Sequence, residues 1–244
     1  MKFSFIIPAY NEEKIIGKCI NSIKSQTRKP DEIIVVDNLC TDNTAKIARK
    51  LGCRVVKESK KGISNARNKG AKASCGDILC FVDADGIVVR NWLEECEKSF
   101  LKGSKINAVV GMNIFSHKNS EKHAIYNIYT ALAYSGLFLY KILTDKLFLA
   151  GNNFAIKKEV FAKVGGFESV MGEDYWLSKK FWKLSNHKGV FNPKMKIHYS
   201  SRGFDSAGYL QTLTFWVLGS IMKTDQKSYT YKNKRLGDIK FKLP

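Results

Sequence analysis

The sequence predicts an α/β protein in which helices flank a mostly parallel, doubly wound central sheet. Apolar, β-prone runs alternate with helical stretches four times within about the first 85 residues, and this alternation is typical of parallel sheets. The fourth run, Ile78–Val82, is apolar throughout, which indicates a strand covered on both faces. Asp83, Asp85 and Gly86 follow it, at the edge where open α/β sheets bind ligands.

The other elements are predicted in chain order. Strands are expected at residues 3–7, 32–36 and 54–57. Helices are expected at about residues 13–26, 42–51 and 62–74, and later at about residues 173–184. The first helix carries an apolar stripe at helical spacing, which consists of Ile15, Ile16, Cys19, Ile20 and Ile23. Thr41 is predicted to cap the second helix and Gly52 to end it.

Composition limits the class of protein. A chain of 244 residues with 44% hydrophobic residues suits one globular domain with a small appendage. Its formal charge of +19 attracts nucleic acid, anionic lipid or phosphorylated substrates. The six cysteines form no C-x-x-C pair, and Cys53 and Cys80 fall in predicted strands, so buried reduced thiols in the cytosol are expected. The first eight residues are too short for a signal peptide.

The carboxylates that follow the fourth strand form a candidate ligand site. Residues i and i+2 of a strand lie on the same side, so Asp83 and Asp85 are expected to converge. Two like charges this close favour a positive partner, and a divalent cation with oxygen ligands is the natural candidate. The alternative is a solvated turn after the strand.

Five motifs occur in order over about 200 residues: FIIPAYNEE at 5–13, VVDN at 35–38 with TDNT at 41–44, GISNARNKG at 62–70, FVDAD at 81–85, and GGFE at 165–168 with GED at 172–174. In this order the chain resembles family 2 glycosyltransferases. The resemblance implies a GT-A fold, a nucleotide-sugar donor, Mg²⁺ or Mn²⁺, and inversion at the anomeric carbon. The chain differs from the family at Leu39-Cys40, where Gly-Ser is usual.

The resemblance also assigns roles around the donor. It implies Asp85 as a metal ligand, and Asp83 as a contact to the ribose hydroxyls or a support of the metal site. His198 would complete the metal or pyrophosphate site, the alternative being a histidine with a structural hydrogen bond on an edge strand. Asp37 would accept a hydrogen bond from the base, the alternative being that it caps the following turn.

Other residues are expected around the nucleotide. Pro8, Ala9, Tyr10 and Glu12 would line the base and ribose pocket. Arg67 would supply a fixed cation for the base or the phosphates. The alternative for Arg67 is a solvated arginine on the surface of its helix.

The acceptor hydroxyl is a weak nucleophile and needs a general base. The resemblance implies that Asp174 is this base, with Glu173 as its neighbour. The alternative is that both carboxylates only stabilise a helix N-terminus. Four residues are expected to shape the acceptor side: Gly151, Asn152, Asn153 and Gly166.

Two segments of 17 residues, 124–140 and 206–222, contain no charged residue. Their length is the lower limit for crossing a bilayer, but their polar residues and tyrosines favour contact with a membrane interface. Burial within the protein and spanning are the alternatives. Residues 223–244 carry seven Lys or Arg and two Asp, and such a tail suits an anionic membrane surface.

These observations predict a catalytic domain at 1–200, with a nucleotide-binding half at 1–115 and an acceptor half at 116–200. Residues 201–244 are predicted to be a membrane-associating helical and basic extension. The predicted function is that of an inverting, metal-dependent glycosyltransferase on the cytoplasmic membrane face, acting from a UDP- or GDP-sugar on a glycan or lipid-linked acceptor. A polyprenyl-phosphate glycosyl synthase is the first alternative. A basic nucleic-acid-binding protein is the second, although helix-turn-helix, zinc and RNA-recognition signatures are lacking.

Overall fold

The computed structural model describes residues 1–116, 120–185 and 188–200. Within these ranges the strands are β1 (Phe3–Ala9), β2 (Glu32–Asp37), β3 (Arg54–Lys57), β4 (Ile78–Val82), β5 (Ile87–Val88), β6 (Ile106–Ser116), β7 (Asn153–Lys157) and β8 (Lys188–Ser200). The helices are α1 (Ile16–Lys24), α2 (Thr44–Lys50), α3 (Ile63–Ala73), α4 (Trp92–Leu101), α5 (Ser120–Thr144), α6 (Lys158–Lys163) and α7 (Glu173–Trp182).

All eight strands belong to one sheet, in the order β3-β2-β1-β4-β7-β6-β8-β5. The first four strands along this order are parallel to one another. β7 then runs antiparallel to both β4 and β6, whereas β8 is parallel to β6. The prediction of an α/β protein with a mostly parallel sheet is therefore confirmed, and the antiparallel strands all lie beyond β4.

The predicted elements of the first half need small corrections. α1 begins at Ile16, not near residue 13, and α7 ends at Trp182. Thr41 does not cap α2, because the helix begins at Thr44, whose backbone N–H donates to the Asp42 carboxylate over 2.9 Å.

Gly52 and Cys80 lie where they were predicted, and Cys53 does not. Gly52 does end α2, and its φ of 77° is the left-handed conformation that favours glycine. Cys53 is buried as expected, but it lies one residue before β3 rather than inside it. Cys80 lies in β4 and is also buried.

Apolar layers cover both faces of the sheet. One layer joins β1 and β4 to α1 and α4, through residues such as Phe5, Ile20 and Trp92. The other joins β4 and β7 to α3, α6 and α7. In this second layer Phe81 stacks on Phe154 at 4.9 Å and meets Phe167 edge-on at 5.4 Å. The aromatic contacts hold the 165–168 motif against the strand that leads into Asp83.

α5 is attached to the sheet by one narrow stripe. The Asn127 side chain exchanges hydrogen bonds with the backbone of Phe115, and the Asn113 N–H donates to the Tyr134 hydroxyl over 2.9 Å. Most other apolar side chains of the helix are exposed, including Leu132 at 64% and Leu139 at 56%. Burial of segment 124–140 within the described protein is therefore wrong for most of its length.

No helix in the described ranges combines the length and the apolar character that crossing a membrane requires. The predicted segment 206–222 and the basic tail 223–244 lie outside the described residues. The predicted extension at 201–244 is outside them for the same reason.

Candidate active site

The carboxyl ends of β1, β2 and β4 meet at one edge of the sheet. Ala9, the last residue of β1, lies beside Asp37, the last residue of β2. β4 is the other neighbour of β1, and Asp83 follows it directly. The parallel register therefore brings the residues predicted to contact the nucleobase, the ribose and the metal to the same edge of the sheet.

The loop after β2 is built around Asp37 and Cys40. The Asp37 carboxylate accepts a hydrogen bond from the Cys40 N–H over 2.9 Å, which is the turn-capping role given above as the alternative. Burial raises the pKa of the Cys40 thiol to about 11, so the thiol is protonated at neutral pH. It donates to the Ala9 carbonyl over 3.3 Å and accepts from the Asn11 N–H over 3.4 Å. Cys40 therefore makes hydrogen bonds that a serine hydroxyl at this position can also make.

The same loop explains why glycine is favoured before Cys40. Leu39 has a φ of 66°, in the left-handed region that costs a residue with a Cβ about 1–2 kcal/mol. Leu39 is also exposed, so its side chain returns little of this cost through burial. The loop keeps its hydrogen bonds despite the departure from Gly-Ser, and the leucine adopts the strained conformation.

We expect Leu39→Gly to be more stable than Leu39→Ala by about 1 kcal/mol, because both variants lose the leucine side chain and only alanine keeps the left-handed penalty. Urea unfolding of the two variants measures this difference. Equal midpoints, or a more stable alanine variant, would show that the loop does not hold residue 39 in this conformation.

Asn38 holds the segment that approaches Tyr10. Its buried amide donates to the carbonyls of Glu58 and Lys60, over 3.1 and 2.8 Å, and accepts from the Gly62 N–H over 2.9 Å. This places the Lys61 ammonium 5.2 Å from the ring of exposed Tyr10. Asn38 was not predicted as a site residue, although an asparagine directly after the strand-end aspartate is a usable signal.

Pro8 and Ala9 are buried in β1, next to β2. Glu12 follows in the loop, where its N–H donates to the Thr44 hydroxyl over 2.8 Å. Its carbonyl accepts from the N–H groups of Ile15, just before α1, and of Ile16, the first residue of α1. Together with Tyr10 these residues form the wall of the sheet edge on the β1 side.

Asp83 and Asp85 belong to a turn rather than to β4. The strand ends at Val82, and the Gly86 N–H donates to the Asp83 carbonyl over 2.9 Å. The strand-alternation argument for their convergence is therefore wrong, although both carboxylates still lie near one residue, Tyr199. Burial first, and then Asp83 and Asp85, raise the pKa of its hydroxyl well above the usual value.

Tyr199 was not predicted as a site residue. Its hydroxyl donates to the Asn152 carbonyl, which joins β8 to the segment before β7. A Cβ built on Gly86 would lie 2.9 Å from the Tyr199 oxygen, so glycine permits the ring to lie against the turn. The signal available in the sequence was its position next to His198.

His198 is not on an edge strand. At this position β8 pairs with β5 through Ile87 and with β6 through Ile114, so the histidine lies between two strands, beside the strand that follows Asp85. No group of three or more His, Cys, Asp or Glu in the described residues is arranged to hold a metal ion. One carboxylate and one imidazole fit a cation that takes its other ligands from a diphosphate and water.

Arg67 is the charged centre of the site. Only 2% of its side chain is exposed, which excludes the alternative of a solvated helix arginine. Nη2 lies 2.9 Å from Asp83 Oδ1, and Nη1 lies 2.9 Å from Glu173 Oε1 and 3.4 Å from Asp174 Oδ1. The ring of Phe167 covers one face of the guanidinium at 5.1 Å.

Asp174 and Glu173 occupy the first turn of α7, which follows Gly172 in a left-handed conformation. Burial first, and then the Glu173 charge, raise the pKa of the Asp174 carboxyl to about 8, while Arg67 acts in the opposite direction. A carboxylate whose pKa is this high is a stronger base than an ordinary aspartate, and it is ionised in part at neutral pH.

The predicted acceptor-side residues do not all face the site. A Cβ on Gly151 would lie 2.2 Å from Asp174 Oδ1, so Gly151 is beside the candidate base. The Asn152 amide oxygen accepts from the Asn113 side chain over 3.1 Å. Asn153 is fully buried, and its amide bonds to Trp92, Asn113 and the Met195 carbonyl. Its side chain therefore holds the core together.

Gly166 is placed by α3. Asn68 donates to the Phe167 carbonyl over 2.8 Å and accepts from the Phe167 N–H over 2.9 Å. A Cβ on Gly166 would lie 2.6 Å from the Asn68 oxygen. Asn68 was quoted in a motif without a role, and the structure shows that it attaches the 165–168 motif to the helix that carries Arg67.

Known proteins resemble this chain in sequence. The family described as glycosyl transferase family 2 matches residues 4–165. Glycosyltransferase AglE of Haloferax volcanii is 29% identical over 72% of this chain and 60% of its own length. Glycosyltransferase GlyA of Streptococcus pneumoniae is 26% identical over 83% of this chain and 31% of its own length. The chain thus spans less than two thirds of either relative.

Two solved structures share the fold. Glucosyl-3-phosphoglycerate synthase from Mycobacterium tuberculosis, in complex with Mn²⁺, UDP-glucose and phosphoglyceric acid, has a TM-score of 0.61 at 22% identity over 90% of this chain and 79% of its own. A mannosyltransferase from Pyrobaculum calidifontis, in complex with GDP-mannose and Mn²⁺, has a TM-score of 0.65 at 21% identity over 90% of this chain and 64% of its own. The predicted GT-A fold is confirmed. The match over residues 4–165 shows that this chain belongs to the glycosyl transferase family 2.

Proposed function

We propose that this protein transfers a sugar from a UDP- or GDP-sugar to a hydroxyl of a glycan or lipid-linked acceptor, with inversion at the anomeric carbon. One observation carries the proposal: Arg67 bonds both to Asp83, beside the strand ends that would take the donor, and to Asp174, the candidate base. One guanidinium thus holds a residue of the donor site and the candidate general base together. The nucleotide sugars named for the two solved structures support the choice of donor.

The reaction is a single displacement. Asp174 accepts the proton of the acceptor hydroxyl as its oxygen forms a bond to the anomeric carbon. The bond from that carbon to the diphosphate oxygen breaks, and its electron pair leaves with the nucleoside diphosphate. Attack from the side opposite the leaving group inverts the anomeric carbon. The raised pKa of Asp174 suits this role because a base works best when its pKa lies near the working pH.

Asp85 and His198 would hold Mg²⁺ or Mn²⁺ together with the diphosphate. When bound, the cation would stabilise the negative charge that develops on the leaving diphosphate. Asp83 would bind the ribose hydroxyls. Asp37 would accept a hydrogen bond from the nucleobase of the donor, alongside its bond to the Cys40 N–H. Tyr10, with Lys61 5.2 Å from its ring, would cover the base.

We further propose that an anionic membrane surface lies beside the acceptor side, on the face formed by α5 and α7. Tyr140 of α5 lies 6.2 Å from Trp182 of α7. The Lys179 ammonium lies 4.5 Å from the centre of the Trp176 ring. Trp176 stands two residues after Asp174 in the chain. Tyrosine, tryptophan and lysine next to an exposed apolar helix are typical of a membrane interface. This favours a lipid-linked acceptor, and a polyprenyl phosphate is its simplest form.

We expect the double variant Leu132→Ser, Leu139→Ser to bind anionic vesicles at least about tenfold more weakly than wild type, because it removes apolar area that would enter the lipid. Vesicle flotation at low and high salt measures the binding, which should weaken with salt without vanishing. Leu101→Ser, on α4 and 70% exposed, is the matched control. Unchanged binding in the double variant would mean that this face of α5 does not enter the lipid.

A thermal-shift panel of UDP- and GDP-sugars, with and without Mn²⁺, tests the proposed donor, because a ligand that binds the native state raises its melting temperature. Transfer assays with a polyprenyl phosphate and with soluble glycans then identify the acceptor class. The proposal is wrong if no nucleotide sugar stabilises the protein in the presence of Mn²⁺.

The family match favours an enzyme over the nucleic-acid-binding alternative, which a salt-sensitive gel shift would reveal.

A further inference from the structure

The three carboxylates around Arg67 come from two segments that are far apart in the chain. Asp83 belongs to the turn after β4, and Glu173 and Asp174 open α7, whereas Arg67 lies in the middle of α3. One guanidinium therefore joins three elements that no other described ion pair connects. A contact of this kind decides where α7 begins relative to the turn.

Both terminal nitrogens of Arg67 already contact carboxylates. Nη2 is committed to Asp83, Nη1 is shared between Glu173 and Asp174, and Nε is buried without a hydrogen-bond partner among the described residues. Phe167 covers one face of the group. A Cβ on Gly151 would lie 2.6 Å from Nη1, so Gly151 closes another side. Because only 2% of the Arg67 side chain is exposed, little of the guanidinium is open to an incoming phosphate.

We propose that Arg67 is a positioning residue that sets the base Asp174 relative to the donor-side turn, and that it does not itself contact the nucleotide sugar. The inference rests on the proposed function, and it replaces the expectation that Arg67 binds the base or the phosphates. Removing Arg67 leaves three acidic side chains together without their common cation. Asp174 then moves from its place beside Gly151, while the diphosphate site at Asp85 and His198 is unaffected.

Gly151 offers a second way to disturb the same contact. A methyl group there would meet Asp174 Oδ1 at 2.2 Å and Arg67 Nη1 at 2.6 Å, so Gly151→Ala pushes the two side chains apart without changing any charge. Arg67→Lys keeps the charge but provides one ammonium group, which cannot bridge both sides as a planar guanidinium does. Lys69→Met, an exposed residue on the same helix, is the matched control.

The experiment compares Arg67→Met, Arg67→Lys and Gly151→Ala with wild type and with the control. We expect kcat with the active nucleotide sugar to fall by roughly 10²-fold or more, since a misplaced catalytic group costs about this factor. Calorimetric affinity for UDP or GDP with Mn²⁺ should change by less than about threefold in Gly151→Ala, which meets Nη1 and leaves Nη2 on Asp83. In the two Arg67 variants, which also disturb Asp83, the affinity should fall by much less than kcat. The double variant Arg67→Met, Gly151→Ala should be little worse than either single variant, since both break one contact.

Two outcomes of the kinetic and calorimetric measurements overturn the inference: a loss of diphosphate affinity as large as the loss of kcat, or an unchanged kcat in all three variants. Crystal structures of wild type and of Gly151→Ala give a readout that needs no activity, and an unmoved Asp174 carboxylate also overturns it. A wild-type protein that neither binds nor turns over any nucleotide sugar contradicts the proposed function instead. The crystal structures still decide the role of Arg67 in that case.

Discussion

Asp174→Asn should lower the rate of sugar transfer by about 10²-fold or more while leaving donor affinity nearly unchanged, as expected when a general base is removed. The amide nearly matches the carboxylate in size, so Gly151 and Arg67 keep their neighbour, but it cannot accept the proton of the acceptor. Steady-state rates with saturating donor, together with calorimetric affinity for the nucleoside diphosphate, separate the two effects.

The pH dependence of wild type is the companion measurement. Because the pKa of Asp174 is raised to about 8, the ionised, active form increases as pH rises through that value, so kcat/KM should rise with it. In Asp174→Asn this rise of kcat/KM with pH should be absent. Asp145 is an exposed carboxylate after α5. Asp145→Asn is therefore the control, and it should keep both the wild-type rate and the rise of kcat/KM with pH. If Asp174→Asn retains the wild-type rate, Asp174 serves only the N-terminus of α7.

Asp85→Ala is expected to remove metal-dependent donor binding, with a loss of at least about 100-fold in affinity for UDP or GDP in the presence of Mn²⁺. Loss of a supporting residue around a metal ligand typically costs 10–100-fold, and a direct ligand should cost at least as much. The Asp83–Arg67 bond does not involve Asp85, so the fold should survive. Calorimetry with and without Mn²⁺ measures the effect.

Two controls make this second result interpretable. Circular dichroism and the melting temperature should match wild type, because the side chain removed lies in a turn and outside the apolar layers. In the absence of Mn²⁺, the variant and wild type should bind the diphosphate equally weakly. An Mn²⁺-dependent affinity that survives in Asp85→Ala would show that the cation is held elsewhere.

Much of the parallel half of the fold was predictable because its signals are local. The runs at Ile78–Val82 and Arg54–Lys57 are bounded by turn residues and have the length of buried strands, and helical stripes lie between them. The strand-end position of Asp37 and Asp83 follows from these boundaries alone. The resemblance to a family then proposed which of these residues would meet a donor.

The other half was not predictable by the same means. β5 has two residues and pairs with β8 more than a hundred positions later, and no local pattern marks such a pair. The exposed face of α5 had the composition of either a buried or an interfacial helix, and only the packed neighbours show which side chains remain uncovered. Asn153 carried the same motif evidence as Asn152, yet its amide faces the core.

The sequence by itself determined the α/β class, the order of the first strands and helices, and the identity of the acidic residues at their ends, since hydrophobic periodicity and turn chemistry act between near neighbours. Only the tertiary structure decided that Arg67 is buried and joined to Asp83, Glu173 and Asp174. The physical reason is that a charge contact across about a hundred residues depends on how α3 and α7 pack against the sheet. That arrangement is the sum of many apolar contacts, and no single motif encodes it.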